Sequence, residues 1–284
     1  MQKLLKDYIY HLEFKENKKY NTIISVKNDI ENFLNYFLQK NINDVRSIDF
    51  LMLKEYFYEL RDSEVSISTF NRRLSSLKKF YKYLKSNDLV TENITLPLEN
   101  IKNNEKKIEY LTDEEIKKFR TAIEGNNFNA IRDRFLFELL YSTGITVSEL
   151  LSLGEQNFLI EQREIQFFKN KKKRFLFFSE NCKFAYEKYL KIKEDKFKTQ
   201  NNKNILFINN SNQRLTDRSI RRIISKYKEK AQIEKEFSTY TIRHTFCITM
   251  LKNGMPKEYL GKLLDMSGME QLIAYEKIIR RDVL

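Results

Sequence analysis

The sequence predicts a mainly α-helical protein of two domains, the second carrying a small three-stranded antiparallel sheet. Three observations lead there. Only six glycines and two prolines, Pro97 and Pro256, occur in 284 residues, so few positions break a helix. Apolar residues recur at helical spacing through most of the first hundred positions. Three short β-rich runs then fall close together between residues 157 and 179, within a second half that is otherwise helical.

From the N-terminus, residues 2–14 supply a first helix. In 21–40, Ile23, Val26, Ile30, Phe33, Leu34 and Phe37 make a single stripe. Residues 47–60 give a third helix, and Ile67, Phe70, Leu74, Leu77, Phe80, Tyr81 and Leu84 mark a fourth. These stripes bury against one another, which makes 1–92 a helical domain whose apolar pattern is core. Residues 93–110 are rich in Asn, Lys and Glu, contain Pro97 and lack a helical period, as an interdomain linker does. Thr112-Asp-Glu-Glu115 reads as a capping box that opens a second domain, 111–284. Helices follow at 128–142 and, beyond a Thr143-Gly144 turn, at 147–153. Strands are expected at 157–160, 164–169 and 173–179, the last two joined by a tight turn at Asn170-Lys171-Lys172. The remainder is helical.

Charge narrows the partners. Lys plus Arg total 52 against 39 Asp plus Glu, a formal +13. A surplus of that size favours polyanions, because each neutralised phosphate releases condensed counterions. The basic residues also share faces: Arg72, Arg73, Lys78 and Lys79 on one helix, and Arg218, Arg221 and Arg222 with Lys226, Lys228 and Lys230 on another that Thr216 or Asp217 could cap. Such faces suit phosphate contacts, and an arginine can reach guanine edges; a solvated lysine-rich face has the same composition. The partner expected is double-stranded DNA. Cys182 and Cys247 belong to no CxxC pair, which gives no metal framework and fits a reducing, cytoplasmic setting. The start lacks a secretory apolar core and no run is long enough to cross a bilayer, so no membrane partner is expected.

Four segments together carry a resemblance. Leu139-Leu-Tyr-Ser-Thr-Gly-Ile-Thr-Val-Ser-Glu-Leu-Leu-Ser-Leu153, Tyr240-Thr-Ile-Arg-His-Thr-Phe246 and Leu263-Leu-Asp-Met-Ser267 followed by Tyr275 resemble the boxes of the tyrosine recombinase, or phage integrase, family, in particular its Xer-type members. Steps of 3, 23 and 9 residues separate positions 240, 243, 266 and 275, as in that group. Phe70 to Phe80 is likewise similar to the family's N-terminal core-binding, SAM-like domain. The resemblance implies a tyrosine hydroxyl attacking a backbone phosphate, which displaces a 5′-hydroxyl and leaves a 3′-phosphotyrosyl link. It implies no metal or nucleotide cofactor. Two arginines, a lysine and two further polar residues, typically histidines, would surround the phosphate, and further protomers or a recombinase partner would share the DNA.

Position by position, the resemblance places Tyr275 at the nucleophile, Arg243 at the second arginine and Lys169 at the lysine, with Lys171 or Lys172 as substitutes. Thr146 stands at the first arginine, Tyr240 at the first histidine and Met266 at the second. Neither Arg132 nor Arg134 lies in the box, although either could swing inward. His11 lies in the first domain, and His244 follows Arg243 where the family often has His. Removing one oxyanion donor costs about 10²–10³ in rate. The residues therefore point to a DNA-binding family member that is weak or inactive in strand cleavage. The alternative is an active site-specific recombinase working through Tyr275.

Overall fold

The computed structural model describes residues 1–102, 108–169, 171–198, 203–266, 268 and 270–283. The chain forms two compact units, Met1–Lys106 and Lys107–Leu284. Part of the expected linker, 103–107, lies outside the described residues, as do Asn170 and Ser267.

Unit 1 holds α1 (Gln2–Tyr10), α2 (Tyr20–Gln39), α3 (Phe50–Asp62) and α4 (Ile67–Ser86). The predicted stripes form its core: Ile30, Phe33 and Leu34 of α2 and Leu74, Leu77, Phe80 and Leu84 of α4 are all buried. Two boundaries move. The first helix widens into a π turn at His11–Lys15 rather than staying α-helical to residue 14. The third begins at Phe50, not at 47. Asp44 caps a separate 3-10 turn (Val45–Ser47), and Asp49 then accepts from the Met52 amide to start α3. Beyond α4, the Asn71 side chain exchanges two hydrogen bonds with the Ile101 backbone, at 2.8 and 2.9 Å, and Leu98 and Ile101 pack against the same core.

Unit 2 begins with α5 (Asp113–Ala122), where Thr112 and Glu115 form the expected reciprocal cap. α6 (Phe128–Thr143) is buried nearly all round, as a central helix must be, and α8 (Glu180–Phe197) packs on it. Gly144 ends α6 with φ +60°, a backbone state that favours glycine, and a Cβ there would collide with the Phe246 ring. α7 (Val147–Ser152) follows at once. The sheet runs β1 (Phe158–Leu159), β2 (Glu164–Lys169) and β3 (Lys172–Phe177), antiparallel in that order. Lys172 pairs with Lys169, so it belongs to β3 rather than to the turn. α9 (Asp217–Lys230) is capped by Thr216, α10 (Thr239–Lys252) by Ser238, and α11 (Lys257–Leu263) and α12 (Glu270–Val283) complete the unit. The fold is thus mainly α with one three-stranded antiparallel sheet, as the sequence predicts. Among the described residues no helix is long and apolar enough to cross a membrane.

Candidate active site

The turn between α6 and α7, the β2–β3 hairpin, α10 and the end of α11 converge on one polar cluster, organised by Glu149. Thr146 is the N-cap of α7. Its hydroxyl and amide both reach Glu149 Oε2, at 2.7 and 3.0 Å. Glu149 Oε1 faces Lys169 Nζ at 2.9 Å and also accepts from Arg174, whose side chain is only 8% exposed. Arg174 donates to the Leu263 carbonyl at 2.6 Å. Arg243 donates to the next carbonyl, Leu264, at 3.2 Å, and to Gly144 at 2.5 Å. Two guanidinium groups and one ammonium are therefore fixed around consecutive carbonyls and one carboxylate.

Electrostatics follow from this packing. Burial pushes the Glu149 carboxyl up, but hydrogen bonds from Lys169 and Thr146 and the charge of Arg174 outweigh it and hold it below the usual carboxylate range. Burial pulls the Lys169 ammonium down, yet its bonds to Glu149 and to Asp265, 3.0 Å away, leave it above the ordinary lysine value. Lys169 is thus firmly charged at neutral pH.

The nucleophile position looks different. Tyr275 is 1% exposed, packed in a cluster with Phe246, Cys247 and Leu272. Its hydroxyl lies 2.7 Å from His244 Nδ1. Burial, and secondarily Cys247, push the phenol well above its usual value, against the pull of Arg243. Burial and the adjacent Arg243 hold the His244 imidazole below its ordinary value. In this state the phenol is sheltered, so a phosphate reaches Oη only when the side chains that cover it open.

The substituted positions supply little. The short arm of Thr146 is occupied by the α7 cap. Met266 packs against the Tyr275 cluster, and Tyr240, 57% exposed, points outward one turn before His244. Neither upstream arginine compensates. Arg132 is buried on Asp133 and the Ile208 carbonyl, and Arg134 is tied to Glu138 and the Arg120 carbonyl. Lys171 and Lys172 are exposed at the hairpin tip. Arg174, Asp265 and the bond of His244 to Tyr275 were not anticipated. Arg174 did leave a sign: it shares strand parity with the inward-facing Leu176, and a buried arginine must find a carboxylate.

Of the basic helix faces, α9 presents Arg218, Arg221 and Arg222 to solvent, with Arg221 bridged to Asp217. On α4, Lys79 is exposed and Lys78 half-buried. Arg72 is anchored on the buried Asp29 at 2.5 Å and on Ser25 at 2.9 Å, and Arg73 is half-buried with its Nε enclosed. These two arginines are partly structural.

A helical bundle is thus followed by a helical unit in which two arginines and a lysine cluster beside a small hairpin. Residues 109–279 match the Phage integrase family and residues 5–88 match the Phage integrase, N-terminal SAM-like domain, so the chain belongs to the phage integrase, or tyrosine recombinase, family and is Xer-like within it. It is 28% identical over 265 residues to the tyrosine recombinase XerC of Staphylococcus saprophyticus, covering 93% of this chain and 88% of that protein. It is 26% identical to the tyrosine recombinase XerD of Oceanobacillus iheyensis, covering 97% and 94%. Its fold matches the XerH site-specific recombinase bound to palindromic difH substrate with a TM-score of 0.76 at 19% identity, over 98% of this chain and 82% of that one.

Proposed function

We propose that this protein binds double-stranded DNA through basic faces in both units and that its strand cleavage through Tyr275 is strongly impaired. Binding is supported by the exposed arginines of α9, by the formal charge of +13 and by the family. Impairment rests on one observation: Thr146 stands at the first arginine position with its hydroxyl committed to Glu149, and neither Arg132 nor Arg134 reaches it. A threonine offers one neutral donor where a permanently charged, bidentate guanidinium is expected. Losses within one site are not additive, so the deficit is set at no less than the roughly 10²–10³ that one missing donor costs. The second reading, an active recombinase, draws on the retained Arg243, Lys169 and Tyr275; a second protomer or recombinase partner on the same DNA fits either.

The test starts from duplexes selected by the protein out of a random pool. Affinity should fall steeply with salt, the logarithmic slope being about −0.9 per phosphate neutralised. Replacing Arg218, Arg221 and Arg222 together by alanine should flatten that slope by about two to three. An unchanged slope would remove α9 from the interface, and salt-independent binding would overturn the DNA reading. Half-site substrates that trap covalent intermediates should yield little or no protein–DNA adduct. A rapid adduct lost in Tyr275→Phe would overturn the impairment.

A further inference from the structure

The chain contains two histidines, and His244 is the one in unit 2. The resemblance expects imidazoles at 240 and 266, where this sequence has Tyr and Met. His244 instead places Nδ1 2.7 Å from Tyr275 Oη, the atom that would attack phosphorus. Among the described residues, the titratable groups beside it are Arg243 and Tyr240 on its own helix and Tyr275 on α12. None of them is a carboxylate that would hold the ring protonated.

We propose that His244 is the proton acceptor for the Tyr275 hydroxyl, serving the role that the residues at 240 and 266 cannot. This rests on the reading above that cleavage through Tyr275 persists at a reduced rate. The phenol donates to Nδ1, so Nε2 carries the ring proton. A ring held neutral by burial and by Arg243 is free to accept at neutral pH. As Oη bonds to phosphorus, its proton passes to Nδ1. The bond from phosphorus to the 5′ oxygen breaks, and that oxygen takes a proton from Lys169. Charge and protons balance, and religation returns both. The His244 cation formed beside Arg243 is raised in energy, which favours that return.

A hydrogen bond that merely latches a buried tyrosine would have the same length, so the test must read proton transfer. A selected duplex carrying a 5′-bridging phosphorothiolate at the scissile position serves this purpose, because the thiolate leaves without a proton and the rate then reports on the nucleophile. For the native sequence, adduct formation should rise with pH as the imidazole deprotonates, at a pH below the ordinary histidine value. His244→Gln keeps a hydrogen-bond acceptor but takes no proton. It should lower the rate about 10²-fold and abolish that rise. Retention of both the rate and the rise in His244→Gln would overturn the proposal. So would the absence of any Tyr275-linked adduct from the native protein on this substrate, an outcome that leaves the impaired, DNA-binding reading standing. Rapid cleavage of the ordinary oxygen substrate would overturn that reading instead, and the Gln comparison would still decide the role of His244. Because the variant could alter folding, the bond is checked independently by NMR of the native protein, with His11→Gln assigning the other ring. Tyr275→Phe removes a donor to the neutral ring and should raise the His244 pKa; no change would contradict the bond.

Discussion

Glu149 shows how much one side chain can organise. It caps α7 through Thr146, holds Lys169 and anchors Arg174, all from a buried position. Its folded-state pKa is depressed, so its contribution to stability is present above the unfolded carboxylate value and is lost as pH falls through the lower folded value. Glu149→Gln leaves the buried Arg174 without its carboxylate partner and Lys169 with Asp265 alone, and should destabilise unit 2 by about 3 kcal/mol, read by urea unfolding at neutral pH. The difference between variant and native protein should shrink in acid. A pH-independent difference would mean that the carboxylate charge is not what holds the cluster. The sequence marked Thr146 as a substituted position, and its hydroxyl already has a partner in Glu149. His244 was legible as a residue but not as a contact. Its bond to Tyr275 spans 31 positions and depends on how α10 and α12 pack, which no local pattern encodes.

Among the elements, the best-read were those whose local chemistry and packing agree. The stripes of α2 and α4, the Thr112 cap of α5 and the Gly144 stop of α6 all appear where the residues indicate. The start of α3 was misplaced because Asp44 and Asp49 both cap, five residues apart, and the apolar period alone cannot choose between them. Lys172 was placed in the turn because its composition fits one; strand pairing with Lys169 moved it into β3. The α6–α7 turn is the element on which the site depends most, since it carries both the Gly144 carbonyl that holds Arg243 and the Thr146 cap. Gly144→Ala combines a positive φ with a collision against Phe246, and should cost about 2 kcal/mol in thermal or urea unfolding. A neutral effect would mean that the turn relaxes freely and does not fix Arg243.

For the molecule as a whole, family membership and chemical competence are separate properties. Helix patterning and motif order identify the architecture across both units, while activity depends on a few donors placed around one phosphate. Arg243 and Lys169 are held by the Gly144 carbonyl and Glu149, Tyr275 is sheltered beside His244, and in the proposed reading Thr146 stands where a first guanidinium is expected. Restoring that guanidinium is the most direct challenge to this division. Single-turnover formation of the Tyr275 adduct on a selected half-site should be at least about 10²-fold faster in Thr146→Arg than in the native protein, even though the variant gives up an N-cap worth about 1 kcal/mol. Rapid adduct formation by the native protein, with no gain from the added arginine, would contradict the claim that the missing clamp limits cleavage.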